Sequence, residues 1–380
     1  MTTLAVLREA RHGERRVAVV PGEISRLRAL SLDVVVEAGA GRKAGFDDDA
    51  YRAQEATTVV EGRDAAVAGA DLVVAVAPLQ PDEVAALPEG SSLISFLPPA
   101  INLHLVARLR DRKITSFSFD LVPRTSRAQA MDALSSQASI AGYQAVLLAA
   151  GRLGRIMPMM MTAAGTSPPA KVLIMGAGVA GLQAIATAKR LGASVSAYDV
   201  RPAAAEEVRS LGATFVELPL QAQEGAGGYA AEQSEEFLAR QQELVAVTVA
   251  RSDVVITTAA VPGRPAPRLI STAMVEDMRA GSIIVDLAAA SGGNCELTKD
   301  GEEVRHGGIR VIGASDLPSQ VATSASALFA RNVSNLAALL VREGRVDPDF
   351  DDDIVAATCL TASGTVRHET TSALLQGLAE

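Results

Sequence analysis

Short apolar runs punctuate the chain, each four to six residues long and rich in β-branched side chains. The first is Thr3–Leu7. Arg16-Val17-Ala18-Val19-Val20 then leads into the Pro21-Gly22 turn, ahead of a helix around Glu23–Leu30. Asp33–Glu37, Asp71–Val76 and Ser91–Phe96 follow, with helical stretches between them. Runs this short and this uniformly apolar are expected of strands buried on both faces, as in a parallel sheet. From about Met131 to Gly154 the pattern turns helical and rich in small residues, until Pro168-Pro169 interrupts it. A second series of strands is then predicted at Val172–Met175, Ser194–Tyr198, Asp253–Thr257, Ser282–Leu287 and Arg310–Ile312. A last long helix, Ala325–Arg342, carries Leu328, Val333, Leu336 and Leu340 near one face. The expected fold class is α/β, with two Rossmann-like domains built on parallel sheets. The first is discontinuous, comprising 1–135 and 325–380 and closed by the C-terminal segment; residues 136–324 form the second.

Composition narrows the field. The chain has 380 residues, enough for two cores, and 48% are hydrophobic. A net charge of −9 offers no basic field for nucleic acid. The two cysteines, Cys295 and Cys359, exclude a disulfide framework, and the four histidines show no ligand spacing, so no metal is expected. No apolar run reaches the ~20 residues of a membrane span, and Arg8, Glu9 and Arg11 follow the start too closely for a signal peptide. A cytoplasmic protein is expected. Met157–Met161 reads as adaptable core filler or interface lining, and the alanine-rich Ile140–Ala150 could pack inside a domain or against another subunit.

The chemistry-bearing pattern is Gly176-Ala177-Gly178-Val179-Ala180-Gly181. A G-x-G-x-x-G alone says little, but here the apolar strand Lys171–Met175 enters it and a helical stretch, Leu182–Leu191, leaves it. The first glycine permits a tight turn and the second lets backbone approach a pyrophosphate. The third lets helix and strand pack closely, and the helix N-terminus faces the phosphates. A second strand ends in Asp199, at the spacing where a carboxylate accepts hydrogen bonds from the adenosine ribose. The same charge repels a 2′-phosphate, so NAD(H) is favoured over NADP(H). Val200 and Arg201 complete this edge; Arg201, just before Pro202, is expected to point away at the start of the next helix.

Beyond the fingerprint, Arg124-Thr125-Ser126-Arg127-Ala128-Gln129-Ala130-Met131-Asp132-Ala133-Leu134-Ser135-Ser136-Gln137 resembles the signature loop of the NAD(H)-binding component of proton-translocating transhydrogenase. Thr162–Gly165, Pro169–Val172, Thr257–Ala259, Pro262–Pro267, Asp286–Ala289 and Gly292–Glu296 are similar to the same family. The resemblance implies that Arg124, Gln129, Asp132 and Ser135 surround the nicotinamide end of NAD(H), with Arg124 and Asp132 paired to orient the ring. Read without it, these residues could equally cap the long helix, Ser126 serving as N-cap. The family also has a mobile loop whose tyrosine closes over the nucleotide; Gly225–Gly228 with Tyr229 fits it in position and composition. Further implications are re/si-specific hydride exchange with NADP(H) bound by a partner subunit, and a membrane-spanning subunit that moves protons. A homodimer attached peripherally to the inner membrane through those partners is also implied. With no membrane helix before residue 380, the chain resembles the split form of the enzyme.

Alanine dehydrogenase shares this architecture, and fold alone does not separate the two. Oxidising an amino acid requires moving a proton as well as a hydride, and that family uses an arginine, a lysine and a histidine. Arg16 matches the arginine, but Ala75 occupies the lysine position and Pro98-Pro99 the histidine position. Exchange of hydride between two nicotinamides needs no such acid–base groups, only orientation and exclusion of water. A third alternative is a non-catalytic NAD-sensing module.

Overall fold

The structure, a computed structural model, describes residues 2–216, 235–260 and 264–377, with backbone only for 235–242. Its strands alternate inward and outward with period two, yet both sides are buried. In the first sheet, Leu4, Val6, Val34, Val36, Leu72 and Val74 face one apolar core, and Ala5, Leu7, Val73 and Leu93 face another. Helices therefore cover both faces, and the strands read as continuous apolar runs.

The chain divides into one unit of Met1–Gln137 with Pro318–Glu380 and a second of Ala138–Leu317. In the first, the parallel strands lie in the order Thr57–Val60, Leu32–Glu37, Thr2–Val6, Leu72–Val74, Ser92–Ser95, Thr115–Ser118. This 3-2-1-4-5-6 arrangement is the doubly wound Rossmann order. The C-terminal segment closes the sheet, since Cys359–Ala362 pairs antiparallel with Thr115–Ser118 and Thr365–Val366 adds the edge. Ahead of them runs the helix Ala322–Leu340, whose Phe329, Val333, Leu336 and Leu340 are buried in the first core. Leu328 is 47% exposed and does not belong to that apolar face.

The second unit repeats the design. Its seven-stranded sheet runs Thr214–Phe215, Ser194–Tyr198, Lys171–Met175, Val254–Thr257, Ile283–Asp286, Ile309–Gly313, Glu303–His306, all parallel except the last. The fold is thus α/β with two Rossmann-like sheets, the first discontinuous. Ala145, Val146 and Ala149 of the long helix Ala133–Arg152 pack into the second core, so its small-residue face is interior. Met157 is buried with them, whereas Met159, Met160 and Met161 are exposed, the last two on a short hairpin of Met160–Thr162 and Gly165–Ser167. Among the described residues no helix is long and apolar enough to cross a membrane.

Candidate functional site

In an open α/β sheet, ligands bind beyond the carboxyl ends of the strands where strand order reverses. The second unit reverses between Lys171–Met175 and Val254–Thr257. The turn after Met175 is Gly176, at φ +103°, where a Cβ would lie 2.5 Å from Thr258 Oγ1. A Cβ at Gly181 would collide with the Gly176 carbonyl, so the third glycine holds the helix Val179–Arg190 against the turn. At Gly178 nothing lies within 4 Å of the added carbon. That open space is what a pyrophosphate approaching the backbone requires. No side chain caps the helix, Val179 is exposed and Ala180 half-buried, so its first turn presents amides without intrahelical partners. The cradle fits a dinucleotide phosphate.

Asp199, at the end of Ser194–Tyr198, is tied to this turn: its Oδ2 accepts the Ala177 N–H at 2.7 Å. Arg201 does not point away as expected. Its backbone N–H and Nε donate to Asp199 Oδ1 at 2.8 and 3.0 Å, and Nη2 donates to Oδ2 at 3.2 Å. The two-residue spacing lets the guanidinium fold back, and the hydrogen bonds to Asp199 raise its pKa. The carboxylate therefore carries a bound counter-charge, and all four of its lone-pair directions are in use. The guanidinium is 45% exposed and has solvent to swing into. Val200 is also exposed.

In the first unit, Ser126–Met131 is a 3-10 helix and the long α-helix begins at Ala133. Asp132, not Ser126, caps it: Oδ1 accepts the Ser135 N–H at 2.8 Å and Oδ2 the Ser135 hydroxyl at 2.5 Å. The expected Arg124–Asp132 pair is thus absent. The capping bonds claim the carboxylate, while Arg124 is exposed, with no ion pair among the described residues. Gln129, Asp132 and Ser135 line one cavity of about 490 Å³, together with Asn332 and Asn335 of the C-terminal helix. Arg127 anchors the loop from outside by a fork onto Asp352, Nη1 to Oδ2 at 2.6 Å and Nη2 to Oδ1 at 2.9 Å. Tyr229, Gly225–Gly228, Pro262 and Gly263 lie outside the described residues.

The first unit's own reversal point, between Thr2–Val6 and Leu72–Val74, is filled from within. Glu9 Oε1 accepts the Val76 N–H at 2.6 Å and Oε2 the Ala77 N–H at 3.2 Å. Burial raises this carboxyl to about 7, against the lowering effect of the Val76 amide. Beside it, Arg16 donates Nε and Nη2 to Glu14 at 2.8 and 2.6 Å and Nη1 to Gln137 at 2.9 Å. Burial works against the Glu14 charge, but the Arg16 bonds prevail and hold its pKa at about 2. Ala75 contributes only a buried methyl group.

Comparison with known proteins agrees with this geometry. Residues 5–141 match the family described as alanine dehydrogenase/PNT, N-terminal domain, and residues 145–369 match its C-terminal domain. The first of the split chains of the NAD(P) transhydrogenase subunit alpha in Rhodospirillum rubrum is 46% identical over 380 residues, covering 96% of this chain and 97% of that protein. The chain belongs to the family of NAD(P) transhydrogenase alpha subunits. The subunit alpha of Haemophilus influenzae is 45% identical across 95% of this chain and 71% of its own length. A crystal structure of transhydrogenase from Sinorhizobium meliloti superposes with a TM-score of 0.85 at 41% identity, covering 97% of this chain and 99% of that one. An L-alanine dehydrogenase at 24% identity reaches a TM-score of 0.82, which shows the shared fold.

Two features of the site escaped the reading of the sequence. Gly142 sits where a Cβ would fall 2.8 Å from the Ala180 carbonyl carbon, so the long helix abuts the fingerprint helix at its first turn. The small residues of that stretch were the available signal, without a partner to give them meaning. Asn332 and Asn335 were the other omission; two asparagines three apart in an otherwise apolar helix were the trace they left.

Proposed function

We propose that this chain is the NAD(H)-binding component of a proton-translocating, re/si-specific transhydrogenase. It exchanges hydride with NADP(H) held by a partner subunit, while a membrane-spanning subunit moves protons. The observation that carries this reading is the contrast between two sheets of one strand order. The crevice of the second unit is an open glycine turn below an uncapped helix, whereas the Glu9 carboxyl occupies the equivalent amides of the first. One open crevice means one nucleotide, so the second must arrive on another chain.

In this reading Gly176, Gly178, Val179, Ala180 and Gly181 hold the pyrophosphate. Asp199 binds the ribose beside Val200, displacing the Arg201 side chain. Arg124, Gln129, Asp132, Ser135 and Tyr229 position the nicotinamide half. Bound NAD(H) supplies the hydride; the chain's residues orient the ring and keep water out. No proton need move at a substrate heteroatom, which suits a site where Ala75 and Pro98 replace the acid–base groups of amino-acid oxidation. A homodimer, cytoplasmic and bound to the inner membrane through its partners, completes the proposal.

Equilibrium titration of the isolated chain tests it. One NADH per chain is expected, bound at least about ten-fold more tightly than NADPH, with no NADH formed from NAD and alanine. Two NADH per chain or a preference for NADPH would contradict the reading. Alanine turnover would make this an amino-acid dehydrogenase. NADH binding that never leads to exchange with a partner would favour a sensing module.

A further inference from the structure

The turn between the 3-10 helix Ser126–Met131 and the long helix is bracketed by one side chain from elsewhere in the sequence. Asn332, 6% exposed, donates Nδ2–H to the Ala130 carbonyl at 2.9 Å and accepts the Ser136 hydroxyl on Oδ1 at 2.8 Å. Ala130 and Ser136 stand on either side of Asp132. One helical step along, Asn335 adds a second donor to the same Ala130 carbonyl at 2.8 Å. The carbonyl closing the 3-10 helix thus has both lone pairs engaged by side chains of Ala322–Leu340. An Asn pair spaced i, i+3 presents both amides on one helix face, which is what a shared acceptor needs. Neither amide is required for burial, because the neighbouring Val333 and Leu336 already fill the core.

We propose that Asn332, seconded by Asn335, is a positioning residue for hydride transfer, fixing the backbone from which Gln129, Asp132 and Ser135 reach the nicotinamide. This rests on the function proposed above. The bracket does not touch the adenosine-binding turn, so its loss should leave the nucleotide bound but misplace the ring. A shift of about 1 Å at that distance from the chemistry can cost up to ~100-fold in rate.

Three variants separate the contributions. Asn332→Ala removes both bonds, Asn332→Asp keeps the acceptor for Ser136 but cannot donate to Ala130, and Asn335→Ala leaves the primary bond intact. Hydride transfer from NADH is measured in the complex with the NADP(H)-binding subunit, alongside NADH affinity of the chain and hydrogen exchange at the Asp132 and Ser135 amides. For N332A and N332D we expect kcat lowered about ten-fold or more, NADH affinity within about three-fold of wild type, and faster exchange confined to this turn. N335A should stay within about three-fold of wild type in kcat. Unchanged kcat with unchanged exchange in folded N332A would overturn the proposal, as would parallel loss of rate and affinity. If the wild-type chain transfers no hydride, the functional reading falls, and slow exchange retained in N332A would dispose of the bracket separately.

Discussion

Replacing Gly142 by alanine sets two effects of opposite sign against each other. Gly142 lies inside the helix Ala133–Arg152, where alanine is favoured over glycine by about 0.8–1 kcal/mol. Against this, the new methyl would stand 2.8 Å from the carbonyl carbon of Ala180 and 3.0 Å from its Cα. Carbon pairs sit comfortably at about 3.5–4.0 Å, so one element must retreat by roughly 1 Å. Both are secured to the second core, the long helix by Ala145 and Ala149 and the fingerprint helix by Ala184 and Ile185. Overpacking of this kind costs about 1–3 kcal/mol, which outweighs the helical gain and leaves a net loss of ~1 kcal/mol. The larger consequence falls on the ligand. Ala180 belongs to the turn whose amides face the phosphates, and losing one hydrogen bond to a charged group costs about 1.5–3 kcal/mol. NADH affinity should therefore fall about ten-fold or more, with a modest drop in the urea midpoint. Fluorescence titration and denaturant unfolding on the same preparation read both quantities. A variant more stable than wild type, binding NADH within two-fold of it, would refute the argument.

Other expectations follow from the charges. For Glu9→Gln the sign is set by a carboxyl whose pKa rises from 4.5 to about 7 on folding. Its contribution to stability is fully present below about 4.5 and lost as pH rises through about 7, so the variant should gain on wild type across that window. The gain should reach about 3 kcal/mol at pH 8, read by urea unfolding at several pH values; a pH-independent difference would show that the carboxyl does not titrate there. Glu14 has the opposite sign. Its stabilising charge, held by Arg16 at a pKa of about 2, is present above about 4.5 and lost as pH falls through about 2; Arg16→Met should unfold more easily at neutral pH, with less of that difference left in acid. Arg201→Ala should widen the preference for NADH over NADPH by about five-fold, since the guanidinium competes for Asp199 and would attract a 2′-phosphate. A narrowed preference in comparative titrations would mean that Arg201 assists ribose binding instead.

Much of the fold was legible because strands buried on two sides leave uninterrupted apolar runs, as at Lys171–Met175 and Ile283–Asp286. Thr115–Ser118 and Cys359–Ala362 were not, and the reason is chemical. Ser116 and Thr361 are fully buried but satisfy each other, hydroxyl to hydroxyl at 2.7 Å, and Thr361 also donates to the Ile114 carbonyl at 2.8 Å. Polar side chains paired across a strand interface look like loop in one dimension. The glycine turn was legible because each glycine has a local steric cause. Arg201 was not, because a guanidinium two residues from a carboxylate can fold onto it or leave it, and spacing does not choose. Asn332 lies about 200 residues from the loop it holds, and a contact that distant has no periodicity to betray it.

The most direct test of the proposed function is reconstitution from separate components. The purified chain is mixed with an NADP(H)-binding transhydrogenase subunit, and reduction of an NAD analogue by NADPH is followed spectrophotometrically. No exchange is predicted from either component alone and rapid exchange on mixing, abolished when the glycine turn is blocked by Gly178→Val. Exchange catalysed by this chain alone, or none on mixing although it binds both the nucleotide and the partner, would contradict it.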